Sequence, residues 1–317
     1  METQTIKRGF MNTKVRCFWF IIVCFFVSNP FAFATHEIET AKTKFSPVNA
    51  LQVMWVFSGI VTSETGENYG YFFQLKREDK HFHATVALIE EESKKVLFHE
   101  ESDAVIDELA PYDWHVGHAF LKFNTINDSW IFGVKSKNKL GFNFKVDMLK
   151  QFEKTPNFHH LSSGVTMLVS QTSELNGHVL LGEDHDEQFV RADDAWFRQI
   201  WQDDSDSHIH DLTSVLCQFT NGSSFYSVNL HEPDAQSGSI AGWYDPKGVP
   251  QAMSQFIQVS QAKDDAWHIQ SRSPHLDLVL SAAMQQNAVV AGFIDGTQNA
   301  GFCMLNNNAV SADSLSG

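Results

Sequence analysis

Ser207-His208-Ile209-His210-Asp211 sets two imidazoles two positions apart, with a carboxylate directly after them. In an extended strand, side chains at i and i+2 share a face, so His208 and His210 would point one way and Asp211 the other. Paired imidazoles can relay a proton near neutral pH or hold a metal ion. A solvated face after the acidic run Asp203-Asp204-Ser205-Asp206 explains the same residues without chemistry. His81-x-His83 is a second same-face pair, but no carboxylate completes it as a ligand set. Asp184-His185-Asp186-Glu187 has the composition of a metal cluster, yet its place after Leu180-Leu181-Gly182 fits a solvated hairpin tip. His159-His160 reads as a linker feature, and no metal is expected. Gly-x-Ser-x-Gly, Gly-x-Gly-x-x-Gly and the phosphate-loop pattern are absent, which sets aside α/β-hydrolase and nucleotide chemistry. No cofactor is expected.

The elements that must position these residues are strands. Gly70 to Arg77, His81 to Leu88, Trp130 to Val134, Leu140 to Val146 and Leu276 to Leu280 alternate with period 2. Turn residues separate them, as at Thr65-Gly66-Glu67-Asn68 and Asp245-Pro246-Lys247-Gly248. Only Glu100 to Leu109 and Ala252 to Gln261 show a weak helical face. Many short strands with polar turns imply an all-β sandwich or barrel. Two segments recur in order. Tyr71-Phe72-Phe73-Gln74-Leu75 lines up with Tyr226-Ser227-Val228-Asn229-Leu230, and Trp130 with its following strand lines up with Trp267 and Leu276 to Leu280. This is the pattern of a duplication. The halves would meet near Ser170-Gln171-Thr172-Ser173, giving domains at 35–172 and 173–317.

The chain of 317 residues opens with a basic stretch holding Lys7, Arg8, Lys14 and Arg16, then an apolar run from Cys17 to Val27, then Ala32-Phe33-Ala34. The run is too short to cross a bilayer of about 30 Å, whereas the order suits a secretory signal at 1–34. Cleavage would remove four cations and one anion, moving the formal charge from −15 to −18. So acidic a protein is unsuited to nucleic acid or to anionic lipid surfaces. At 43% hydrophobic and 13% aromatic residues it has ample material for a core. The expectation is a periplasmic or secreted protein with no integral membrane segment in its mature chain. Cys17 and Cys24 would leave with the signal, so Cys217 and Cys303 form an even pair in a compartment where disulfides persist. A bridge and two buried thiols both fit.

Met54-Trp55-Val56-Phe57-Ser58-Gly59, followed by Thr65-Gly66 and Tyr69-Gly70-Tyr71-Phe72-Phe73-Gln74, resembles the opening of the AttH-like, or hydroxyneurosporene synthase (carotenoid 1,2-hydratase), family. Asp194-Ala195-Trp196-Phe197-Arg198-Gln199-Ile200-Trp201 is similar to that family's second signature at the same Trp-x4-Trp spacing. Phe219 to Tyr226 and Ser237 to Gly248 resemble its later hairpins, so the likeness runs from about residue 48 to 300. The resemblance implies two tandem lipocalin-like antiparallel β-barrels, with a largely apolar cavity between or within them. It implies a lipophilic small molecule as partner, isoprenoid, fatty or polyketide-like, and in some members addition of water to an alkene. Val53 and Met54 replace the family's acidic residue and first Trp, while Arg198, Gln199 and Ile200 stand where it keeps Asp-x-Glu. The inherited carboxylates of both motifs are therefore missing.

By resemblance, Trp55, Trp196 and Trp201 are the expected ligand-binding residues. His208, His210 and Tyr226 are the expected catalytic ones, if catalysis occurs. The leading reading is an exported lipocalin-like binder of a lipophilic molecule. A hydratase or isomerase using the same cavity, and a ligand-free interaction module, are the alternatives.

Overall fold

Strand-forming alternation becomes strand where the sequence shows it. The computed structural model describes residues 50–107, 113–148, 157–161, 164–172, 174–182, 187–203, 211–232, 235–262, 266–286, 288–294 and 299–307, and every regular element among them is a β-strand. The first sheet opens with β1 (Ala50–Ser63), β2 (Asn68–Glu78), β3 (His81–Glu90) and β4 (Val96–Val105). It continues through β5 (Asp113–Val116), β6 (Ala119–Asn124), β7 (Ser129–Lys135), β8 (Leu140–Asp147) and β9 (Asn157–His160). It ends with β10 (Val165–Thr172), β11 (Leu175–Leu181), β12 (Gln188–Ala192) and β13 (Ala195–Asp203). The second sheet begins with β14 (Asp211–Phe219), β15 (Ser224–Glu232), β16 (Ala235–Tyr244), β17 (Pro250–Met253) and β18 (Gln258–Gln261). Its remaining strands are β19 (Trp267–Ser271), β20 (Leu276–Leu280), β21 (Met284–Gln286), β22 (Val289–Ile294) and β23 (Gly301–Asn307). The weak helical windows fold as β4 and as β17 and β18, each hydrogen-bonded to a neighbouring strand, because pairing in a sheet overrides a marginal helical face.

The strand orders are β4-β3-β2-β1-β12-β11-β8-β7-β6-β5 and β17-β16-β15-β14-β23-β22-β20-β19-β18. Laid side by side, they put β2 against β15, β7 against β19 and β8 against β20. Those are the strands that carry the two recurring segments, with Trp130 near the start of β7 and Trp267 at the start of β19. The chain passes from one sheet to the other between Asp203 and Asp211, later than the sequence division at 172. The reason is local. β10 and β13 pair with each other, and β13 pairs with β1, so the segment from 165 to 203 completes the first sheet.

The interior of the first sheet is filled with rings. Phe57 stacks on Phe132 at 4.2 Å between centroids, Phe142 on Phe144 at 4.4 Å, and Trp55 packs on Trp114 at 4.8 Å. Aromatic side chains of this size pack the interior of a small barrel. The second sheet encloses its own core of Val215, Phe225, Trp267, Ile269 and Leu278, tied by the disulfide between Cys217 and Cys303, which face each other on β14 and β23. A third core lies where the two sheets meet: Met54, Val56, Phe72, Met167 and Ile200 pack against Leu216, Val228, Phe302 and Met304.

Candidate functional site

The seam between the sheets is made by strands whose alternate side chains part to opposite sides. On β13, Trp196 and Ile200 join the seam core, while Phe197 packs inward on Phe57 and Trp130. Gly59 and Gly70, both in the opening motif, let the second sheet approach. A Cβ at Gly59 would lie 2.4 Å from Gln218 Oε1, and one at Gly70 would lie 2.3 Å from the Phe302 ring.

β1 runs beside β13 as far as Ser58 and beside β12 from Thr62. The register shifts by one residue between them, leaving a bulge at Asp193-Asp194 opposite Ile60. The Ile60 amide therefore has no strand partner there and donates to Gln218 Oε1 at 2.9 Å. Gln218 Nε2 donates in turn to Asp194 at 2.6 Å, and Gln171 Nε2 donates to the same carboxyl. Burial raises the Asp194 carboxyl above its ordinary value, against the pull of these two amides.

Deeper in the seam, Tyr226 Oη and His159 Nε2 share a hydrogen bond of 2.9 Å across the two sheets. Tyr226 is fully buried, and the hydrogen bond sits among Met167, Ile200 and Val228. Burial, with His160 next in sequence, holds the His159 imidazole below its usual value, so it is neutral at pH 7. In one imidazole tautomer the phenol donates and in the other it accepts, so the pair can carry a proton in either direction. Tyr244 packs on both Tyr226, at 5.9 Å, and Trp196, at 4.8 Å. Arg198, 1% exposed on the same side of β13, donates from Nη1 to the Val215 carbonyl at 3.4 Å. Its Nε and Nη2 have no hydrogen-bond acceptor, and burial pushes the guanidinium down to about 10. Where Gln52, Met54, Trp201, Leu212 and Leu230 converge at one end of the seam, about 10 Å³ of free space remains, room for a single water.

The structure thus brings together Trp196 and Tyr226, through Tyr244, and places Trp201 at the rim of the seam pocket. It sets Trp55 apart, inside the first barrel against Trp114. His208 and His210 lie outside the described residues, as do the 1–34 segment and Asp184-His185-Asp186. His83 is held by Asp103 at 2.8 Å on the outer side of the first sheet. His159 is the residue that sequence reasoning passed over. Its only signal was the tandem His159-His160, which in a four-residue edge strand sends one ring into the seam and the other towards Thr166.

No family model and no curated protein matches the chain. Among solved structures it is similar to an AttH protein from Nitrosomonas europaea, with a TM-score of 0.55 and 13% identity over 81% of this chain and 92% of that one. It is equally similar to kievitone hydratase from Nectria haematococca, with a TM-score of 0.55 and 10% identity over 80% and 88% of the two chains. At such identities the likeness speaks to architecture: the chain has the two-sheet, lipocalin-like β-fold of the AttH-like proteins.

Proposed function

We propose that the protein binds a lipophilic small molecule, isoprenoid, fatty or polyketide-like, at the seam between its two sheets. The observation that carries this reading is the His159–Tyr226 pair, a neutral proton-carrying couple buried in an apolar wall where two sheets meet. Ligand sites typically combine an apolar lining with a few polar groups of this kind. The interior of the first barrel instead holds stacked rings, Phe57 on Phe132 and Phe142 on Phe144. A drug-sized ligand needs about 300 Å³ or more, so binding must swing side chains aside. Met54 in the pocket wall is an unbranched, adaptable side chain, and Trp201 is partly exposed at the rim. Export to the periplasm or beyond belongs to the same proposal. It is supported by the basic-then-apolar N-terminus and by the Cys217–Cys303 bridge.

Hydration or isomerisation of a lipophilic alkene at the same seam is the second reading, and the His159–Tyr226 pair is what favours it. Hydration needs a proton delivered to one carbon and a proton taken from the water that attacks the other. A neutral imidazole bonded to a phenol can supply both services in turn. One of the two similar structures is named as a hydratase.

Native mass spectrometry of full-length protein purified from the exported fraction tests the binding reading. We expect a co-purifying lipophilic molecule that organic extraction releases. Purification without any bound molecule, together with no uptake of added isoprenoid or fatty probes, would replace it with the ligand-free interaction module.

A further inference from the structure

We propose a second binding site, for a neutral saccharide, in a cleft at one end of the second barrel. The cleft encloses about 620 Å³, within the range of small-molecule sites, and is independent of the seam. The segment from 254 to 257 crosses this end and is held from both sides. Asn229 Nδ2 donates to the Ile257 carbonyl at 2.9 Å, and the Ile257 amide donates back to Asn229 Oδ1 at 3.2 Å. Gln255 spans to the β19–β20 turn in the same way, accepting from the Ser273 amide at 3.2 Å and donating to its carbonyl. These four bonds fix the walls before any ligand arrives, which is the preorganisation a binding site needs.

The floor supplies the observation that points to a ligand. Ser271 lines the cleft, is 4% exposed, and its buried hydroxyl has no hydrogen-bond partner. A buried hydroxyl left unpaired carries a desolvation penalty that a ligand's hydrogen bond would relieve. The rim adds Gln258, Arg272, His275 and Asp277, all exposed, and the Phe256 ring, which is 40% exposed.

This mixture defines the ligand class. Arg272 and Asp277 carry opposite charges, which disfavours a charged ligand. Amide, hydroxyl and carboxylate groups offer donors and acceptors side by side, as a polyhydroxyl compound requires. Phe256, with Leu276 below it, offers an apolar plate for the C–H face of a sugar ring. A long lipid is excluded by depth, because Ile257 and Leu276 already pack into the filled barrel core.

Saturation-transfer difference NMR on the full-length protein with glucose, galactose, mannose, N-acetylglucosamine and their β1,4-linked disaccharides reads this site. At least one sugar should receive saturation. Ser271→Ala should lower its affinity about five- to tenfold, the worth of one neutral hydrogen bond, and Phe256→Ala should also lower it. Because the Ser271 hydroxyl has no protein partner, Ser271→Ala should unfold at or above the wild-type temperature, which separates lost binding from lost folding. Tyr226→Phe, in the seam, should leave sugar binding unchanged. Absence of transfer from every sugar, unaltered affinity in both cleft variants, or loss in Tyr226→Phe would each overturn the proposal.

Discussion

Arg198 is buried in the seam without a carboxylate to pair it. Its guanidinium makes one long hydrogen bond, and no ion-pair partner exists among the described residues. Removing a charge from such a site relieves its desolvation, so Arg198→Met should stabilise the protein by about 1–4 kcal/mol, read as a higher urea midpoint. A lower midpoint would mean that the charge is satisfied in the folded state. His159 makes the opposite kind of statement. Its imidazole is held below its ordinary value by burial, so the folded chain favours the neutral form. As pH falls past about 6.5, the unfolded chain takes up the proton first, and the stability this group contributes above that value is lost towards the lowered one. His231 is displaced in the same direction, chiefly by burial, so wild type should weaken on acidification through both. Denaturation midpoints of His159→Gln from pH 7.5 to 5 should fall less steeply than those of wild type. Parallel slopes would contradict the buried neutral imidazole.

At the scale of strands, the alternating stretches fall on β2, β3, β7, β8 and β20, yet only β20 alternates strictly between buried and exposed, while β2, β3 and β7 are buried on both faces. What alternation alone did not show is which barrel or seam each face would meet. Trp196 and Trp201 sit five residues apart on one strand, so they leave it on opposite sides, Trp196 into the seam core and Trp201 reaching the seam only at the rim of its pocket. The bulge at Asp193-Asp194 was likewise hidden, since it depends on β1 changing partners at Ile60. His159 escaped notice because a four-residue edge strand carries too little pattern to separate from a loop. Gly242 shows how tightly the seam is built around Tyr226, which it faces directly on β16. A Cβ there would lie 2.1 Å from Tyr226 Cζ. Gly242→Ala should therefore push the ring off His159 and destabilise the protein by about 1–3 kcal/mol, the usual penalty of overpacking. An unchanged denaturation midpoint would show that the ring has room to move.

As a whole molecule, the described chain is one structure built twice and joined face to face. Both sheets place their first strand beside a late one, β1 with β12 and β13, and β14 with β23. The duplicated segments fall on corresponding strands of that plan, which is why the recurrence could be read before the fold was known. The boundary could not, because the first sheet recruits β11, β12 and β13 from beyond the apparent midpoint. Joining two sheets creates a surface that neither has alone, and the hydrogen-bonded pair His159–Tyr226 lies there, one residue from each. The claim that this seam takes a lipophilic ligand is tested most directly by fluorescence titration of the full-length protein with retinol and with cis-parinaric acid. Wild type should bind at least one of them saturably, and folded Trp201→Ala should bind it about 1–3 kcal/mol more weakly through lost apolar contact at the pocket rim. Binding by Trp201→Ala as tight as wild type, or no saturable binding at all, would contradict the account.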